Sequence, residues 1–508
     1  MDYDFAPFRD ALGTDWYADD PELEALLAGA GLRDELGWKR LQNYGRFVAS
    51  SGRAGADAAD RPDQLPTLKP HDAYGNVDPM GVEVHPATRR VLAAALRAGA
   101  AFEPDERTRY GMAYLGAQVG EAGVLCPLAC TDGMVRALDA LDGGPAAQAA
   151  VEHIRTQAPG GPVHGAQFVT EAQGGSDAGT NTTTASPQPD GSWRLSGHKW
   201  FCSNLWAQYW LVTARPEGAR QGSRGLGLFL VPRVHEGEAN AWRIERLKDK
   251  LGTRSLPTAE IRLEGSVAWA LGPLDQGVSN MVGVVLTTSR FWCAICAAGM
   301  VRSAERIARA YAGFREAFGR PIADYPLVAE ALDDLSRDRR QLLAAALATL
   351  QAWQNQDEDP RAQLRSRVLI MLAKTVATQR ATQRIYEAMM VLGGNGIEER
   401  FSPLPRLLRD SIILETWEGA HGLLLANCMT ELRRGGADDD GVAAVSTLLG
   451  RYAEGADVAG LGAALGSSLR EPDPRAAALA FKAWAHSFYD ALGASAFERL
   501  ADAGRAGV

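Results

Sequence analysis

The sequence predicts an α+β fold in four parts: an N-terminal helical domain (1–165), a middle antiparallel β domain (166–275), a C-terminal helical bundle (276–434) and a helical extension (435–508). Two changes of period along the chain predict it. Apolar residues recur at three and four positions up to about residue 165, give way to short β-branched and aromatic runs, and return to helical spacing near Val278.

In the first part the helical spacing is clear in PELEALLAGAGL, ATRRVLAAALRAGAAF and TDGMVRALDAL, with an irregular Gly-, Ala-, Pro- and Asp-rich connection expected over 50–70. The strands follow as GAQFVT, SWRLSGHKWF, YWLVTAR, LGLFLVPR, WRIERL and TAEIRLE, separated by the turn-forming stretches PQPDG, PEGARQGSRG and HEGEAN. Three later segments, 287–318, 327–353 and 364–394, are long enough to be bundle helices. After Arg434 comes Gly435-Gly436-Ala437-Asp438-Asp439-Asp440-Gly441, a helix stop that reads as a small acidic linker to an appended helical piece.

A chain of 508 residues, 46% hydrophobic and 23% charged, can bury more than one core. Its net charge of −9 offers no overall attraction to phosphate. The acidic start lacks the basic and then apolar pattern of a signal peptide, and no stretch is expected to reach the ~20 apolar residues of a membrane span. A cytoplasmic enzyme without a membrane partner is therefore expected. Six cysteines are too few for a disulfide framework. Cys293 and Cys296 lie in an apolar helical run, where core packing is the plainer reading and redox chemistry the alternative; Cys126 and Cys130 read the same way. Eight scattered histidines form no metal-binding spacing, so no metal site is expected.

Three segments carry the chemistry. Residues 170–177, TEAQGGSD, place two glycines between the hydroxyls of Thr170 and Ser176, which suits close backbone approach to an anionic ligand and equally suits a plain strand-end turn. In 197–204, GHKWFCSN, pairing with the first segment would put Phe201 and Ser203 beside Thr170, where Phe201 could lie on a planar ring; an ordinary half-buried strand is the alternative. Glu418, between Trp417 and Gly419 at the head of an apolar helix, is a candidate base partly desolvated by its neighbour, or else a helix-start acid favoured by the macrodipole. Glu415 is a nearby decoy.

These segments resemble the acyl-CoA dehydrogenase superfamily. Thr170 to Asp177 resemble its TExxGxSD segment, and Lys199 to Asn204 its KxWxTN strand. The stretch from Phe314 to Gly319 resembles R-x-x-F-G, and Leu392 to Gly396 with Arg406, Arg409 and Asp410 the L-G-G-x-G region. The match runs from about residue 100 to 434 with the motifs in the family's order. Asp72 to Gly75, Val84 to Ala87, Leu247 to Ser255 and the long C-terminal extension are most similar to the AidB-like branch.

The resemblance implies FAD. Thr170 and Ser203 would hydrogen-bond the isoalloxazine, Phe201 and its neighbour Cys202 would lie near it, and Gly175 with Ser176 would hold the pyrophosphate. Trp417 and Gly419 would complete the cofactor site around the base. Arg315, Phe318, Gly393 and Gly394 would reach the FAD of a neighbouring subunit, which implies a homo-oligomer, a tetramer built as a dimer of dimers. The implied reaction is α,β-dehydrogenation of an acyl-CoA or related thioester: Glu418 removes the α proton and flavin N5 accepts the β hydride. Some family members carry the base one position before an arginine on an earlier helix; here Ser289 stands before Arg290 and cannot serve. Arg290 is left to orient the site or the CoA end of the substrate, or to be an ordinary surface or interface arginine.

Three positions depart from the family pattern: Ala420 and Met390 replace polar residues and Pro326 replaces a glutamine, each removing a potential FAD hydrogen bond of ~0.5–1.5 kcal/mol. Two functions of other kinds compete with the dehydrogenase. One is a DNA-associated alkylation-response flavoprotein, disfavoured because 435–508 carry ten acidic against six basic residues. The other is a biosynthetic dehydrogenase of carrier-protein thioesters. The electron acceptor is left open.

Overall fold

A computed structural model describes residues 3–76, 78, 81–157 and 161–506, and the chain folds as two compact units. One comprises Ala54–Pro104 and Glu121–Ser289; the other comprises the residues up to Arg53, Asp105–Gly120, and everything from Arg290 onward.

The first unit is built on a seven-stranded sheet. Its strands run in the order Trp242–Leu247, Thr258–Ala270, Trp193–Ser203, Thr184–Pro187, Tyr209–Pro216 and Gly165–Phe168, with Gly227–Pro232 pairing both Thr258–Ala270 and Tyr209–Pro216. All six expected strands form. The sheet is mixed and not purely antiparallel, because Gly165–Phe168 and Thr184–Pro187 both run parallel to Tyr209–Pro216. The reason is the connection: Tyr209 follows Pro187 after 21 residues and Phe168 after 40, and such lengths allow the crossover that parallel neighbours need where a tight hairpin would enforce antiparallel ones.

The expected helical domain 1–165 is divided between the units. Met134, Leu138, Ala147 and Ile154, from helices Ala122–Ala140 and Gly144–Thr156, bury their apolar stripe in one core with Leu211, Leu228 and Leu230 of the sheet and Leu271 just after it. The connection expected to be irregular is helical over 48–59, a π-turn followed by Arg53–Ala59.

The second unit is helical. Proline opens helices Pro21–Gly29, Pro326–Gln354, Pro360–Leu392 and Pro474–Ala506, as suits a first-turn position where no N–H is needed. Asp20 caps Pro21–Gly29 and also accepts from Tyr114 Oη at 2.8 Å, Arg302 Nε at 3.0 Å and Arg339 Nη1 at 3.2 Å, joining four segments at one buried carboxylate.

The extension is not appended. Helix Pro474–Ala506 packs on Pro21–Gly29 and Pro326–Gln354 and buries Phe481, Trp484, Phe488 and Leu492. Its approach is backbone-close, since a Cβ on Gly29 would stand 1.9 Å from the Leu500 carbonyl oxygen and one on Gly504 2.1 Å from that of Ala25. The acidic linker is a tight turn in which Ala437 is buried and Asp440 caps the next helix. One helical run, Gly277–Phe314, is long and apolar enough to cross a membrane, contrary to expectation; 67% of its most apolar window is buried inside the protein, as in a core helix.

Candidate active site

The segment 170–177 leaves the sheet beside the strand Trp193–Ser203, where the Thr170 carbonyl accepts from the Trp200 N–H at 2.9 Å. It then reverses tightly, with the Gly174 N–H donating to the Glu171 carbonyl at 3.0 Å. Gly175 allows a close approach: a Cβ there would sit 2.6 Å from Thr170 Oγ1, so the threonine would have to shift. Beyond the turn, the N–H groups of Gly175 and Ser176 have no protein partner among the described residues, and Ser176 is exposed.

Glu171 holds this turn from inside. It is 2% exposed and accepts from Lys199 Nζ at 2.9 Å, the Thr182 N–H at 2.7 Å, Thr182 Oγ1 at 2.8 Å, the Thr183 N–H at 3.1 Å and Thr183 Oγ1 at 2.6 Å. Burial alone would raise its carboxyl, but the Lys199 ammonium and the threonine donors outweigh burial and hold it at about 2.

A β-bulge aims the flavin-facing candidates. Cys202 pairs with Ala259 and Lys199 with Ile261, so Trp200 and Phe201 stand opposite the single residue Glu260. Strict alternation would give Lys199 and Phe201 the same face; the bulge sends Lys199 inward and leaves Phe201 53% exposed, with Lys248 Nζ 4.8 Å from its ring centre. Ser203 is half-buried, and its hydroxyl lies 2.9 Å from Thr258 Oγ1. The structure thus brings Thr170, Gly175, Phe201 and Ser203 into one neighbourhood. Cys202 needs correction: its side chain is 1% exposed on the inner side of the strand, where burial pushes the thiol up, so it presents no side chain to a cofactor.

These residues fit a flavin nucleotide. An exposed ring flanked by hydroxyls suits a planar heterocycle, and unpartnered N–H groups at a glycine turn suit a phosphate.

In the helical unit, helix Leu404–Thr416 ends at the turn Trp417-Glu418-Gly419, and Ala420 leads into helix His421–Arg434. Glu418 adopts φ +59°, a left-handed conformation unusual for a residue with a side chain, and Gly419 φ +118°. Two cations hold the turn. Lys374 Nζ donates to the carbonyls of Glu415 and Gly419, each at 2.7 Å, and Arg290 Nε donates to the Glu418 carbonyl at 2.9 Å. Trp417 and Glu418 are half-buried. The decoy Glu415 has its carboxylate 3.7 Å from His421 Nδ1.

Of the roles expected for Arg290, the bond its guanidinium makes is one that orients the site, since it supports the Glu418 backbone. Burial pulls its pKa down while the Glu418 charge pushes it up. Ser289 is buried and bonded to Gln167 and to the Val285 carbonyl. Arg315 and Phe318 lie at the exposed hairpin Glu316–Pro321, with Phe318 99% exposed at φ +52°, and Gly393 and Gly394 form an exposed turn after Leu392. No group of three His, Cys, Asp or Glu among the described residues could hold a metal ion.

Sequence reasoning missed the Glu171–Lys199 pair, the bulge and Lys374. The signal for Lys374 was present: it is the lone charge in the apolar stretch VLIMLAKTVA, 368–377.

Comparison with known proteins agrees with the motifs. Residues 166–266 match the acyl-CoA dehydrogenase middle domain, 275–432 its C-terminal domain, and 9–157 the N-terminal domain of the adaptive response protein AidB. The chain is 34% identical to the putative acyl-CoA dehydrogenase AidB of Escherichia coli over 432 residues, 81% of this chain and 76% of that one. It is 33% identical to acyl-CoA dehydrogenase family member 11 of Caenorhabditis elegans over 59% of this chain, spanning half of the worm protein's length. Among solved structures, the apo form of Bd2924 superposes with a TM-score of 0.87 at 28% identity, covering 96% of this chain and 98% of that one. The Caenorhabditis elegans ACDH-11 complex with C11-CoA has the same fold, with a TM-score of 0.74 at 24% identity over 97% of this chain and 91% of that one. A Bacillus anthracis acyl-CoA dehydrogenase of this fold is complexed with FAD. By its ordered motifs, its domain matches and its relatives, the chain belongs to the acyl-CoA dehydrogenase family, flavin-dependent enzymes acting on CH–CH bonds of acyl-CoA, and carries the N-terminal domain of the AidB type.

Proposed function

We propose that this protein is an FAD-dependent acyl-CoA dehydrogenase in which Glu418 takes the α proton of a thioester. The observation that carries the reading is the Trp417-Glu418-Gly419 turn, where a glutamate on left-handed backbone has its peptide planes held by buried Lys374 and half-buried Arg290. A base that must reach carbon benefits from such preorganisation, because a misplacement of ~1 Å can cost ~10²-fold in rate. Thr170, Ser203 and Phe201 would seat the isoalloxazine, and the free N–H groups of Gly175 and Ser176 the pyrophosphate. Bound FAD supplies the two-electron acceptor for the β carbon. The Glu418 N–H would donate to the thioester carbonyl as negative charge develops there.

In this reading the substrate is an acyl-CoA, and the active form is a homotetramer in the cytoplasm. Exposed Phe318, Arg315, Gly393 and Gly394 are the residues it assigns to a neighbouring subunit's cofactor. The DNA-associated alternative is disfavoured by the excess of acids in 435–508 and by the packing of that segment's aromatic face into the helical core.

The test is anaerobic titration of the holoenzyme with a panel of acyl-CoAs, following the flavin spectrum in wild type and Glu418→Gln. Bleaching in wild type alone is expected. Bleaching that survives the substitution would assign the base elsewhere, and salt-sensitive duplex binding without bleaching would favour the DNA reading.

A further inference from the structure

We propose that Lys374 is a positioning residue for the reaction: its ammonium, acting from inside the helical unit, fixes the backbone on both sides of Glu418 and so aims the carboxylate. The proposal rests on the reading of Glu418 as the base.

Lys374 sits near the middle of helix Pro360–Leu392 and is 0% exposed. A methionine or leucine would fill that place without placing a charge out of water. Among the described residues it makes no ion pair, and both of its hydrogen bonds go to carbonyls at the two edges of the turn, Glu415 and Gly419. With Arg290 on the carbonyl of Glu418, three peptide planes of a five-residue stretch are fixed by two cations. A left-handed Glu418 needs such over-determination, since an unconstrained residue of that kind relaxes by ~1–3 kcal/mol.

Burial holds the Lys374 ammonium below the usual lysine range, and its acidic neighbours offset this only in part. Burial pulls the Lys374 ammonium down and Arg290 adds repulsion, whereas Cys293, Glu418 and Glu415 push it up. His421, which opens the next helix, meets Gln379 Nε2 at 2.7 Å and Thr378 Oγ1 at 3.3 Å. Its imidazole is held at about 4 by burial and by Lys374, so it is neutral near pH 7. The groups facing the turn are therefore Arg290 and Cys293 from helix Thr287–Phe314, Lys374 from its own helix, Glu415 from Leu404–Thr416, and neutral His421. Lys374 and Arg290 are the two basic groups that bond carbonyls of the turn.

The experiment compares Lys374→Met, Lys374→Gln and Glu418→Gln in the FAD-loaded enzyme by steady-state kinetics across pH and by hydrogen–deuterium exchange. For Lys374→Met, kcat should fall about a hundredfold with KM within threefold. The acid limb of its kcat profile should move to higher pH, because a cation near the base is lost. Exchange should quicken over 415–420 while helix 360–392 stays protected. Lys374→Gln, which keeps a neutral donor, should fall between the two and reports on the clamp if the methionine variant does not fold. Wild-type kcat in Lys374→Met beside an inactive Glu418→Gln would overturn this proposal alone. Loss of protection along the whole of 360–392 in both Lys374 variants would reduce the residue to a packing role and overturn it too. Turnover that survives Glu418→Gln would sink the base reading, while faster exchange confined to 415–420 would still report the clamp.

Discussion

Replacing Lys199 by methionine leaves Glu171 buried and ionised with its cation gone, and the structure sets the size of the effect. The Glu171 carboxyl is held at about 2 against an ordinary 4.5, a net ~3 kcal/mol of differential stabilisation at 1.36 kcal/mol per pH unit that Lys199 supplies jointly with the threonine donors against burial. Because both partners are almost fully buried, solvent screening does not dilute it. The folded value is the depressed one, so this stabilisation is complete above about pH 5 and is lost as pH falls from about 4.5 toward 2. Lys199→Met should accelerate exchange of the Trp200, Thr182 and Thr183 amides about a hundredfold at neutral pH, since these amides report the turn that Glu171 secures. Glu171→Gln in the same background should restore much of that protection, because a neutral pair no longer leaves a charge unpaired. Strictly additive losses in the two single variants and the double variant would refute the pairing argument, as would a Lys199→Met protein with unchanged flavin affinity and unchanged exchange.

Gly175→Ala should weaken FAD binding roughly tenfold, as overpacking against Thr170 Oγ1 costs ~1–3 kcal/mol; fluorescence of released flavin measures it, and unchanged affinity would show that the turn yields freely. Gly29→Ala should lower the thermal midpoint of the helical unit by several degrees, because its new Cβ collides with the Leu500 carbonyl, and calorimetry would reveal an unaltered transition if the last helix can simply slide.

Element type was readable wherever period and burial agree. The strand Trp193–Ser203 and the helix Pro360–Leu392 were expected within a few residues of their bounds, because each has a long run with an unbroken pattern. The candidate residues were legible for a different reason, the order of motifs shared with a known family. What stayed hidden depends on long-range partners. The bulge at Trp200 and Phe201 is set by the register against Thr258–Ala270, some sixty residues away, and no local pattern encodes it. Glu171 reads as a polar loop residue until Lys199 and two threonines close around it. The extension reads as detachable because turn chemistry around Gly435 and Asp440 looks the same in a linker and in a packed corner.

The interlock of Gly29 with Leu500 bears on biosynthesis. Helix Pro21–Gly29 is made long before its partner, which begins about 450 residues later. At ~5–20 residues per second the nascent protein waits roughly half a minute or more before that surface is covered. Leu23, Leu26 and Leu27 need shelter during the interval, so the helical unit reaches its native state only once Pro474–Ala506 has been made, whereas the sheet-bearing unit has all of its chain by Ser289.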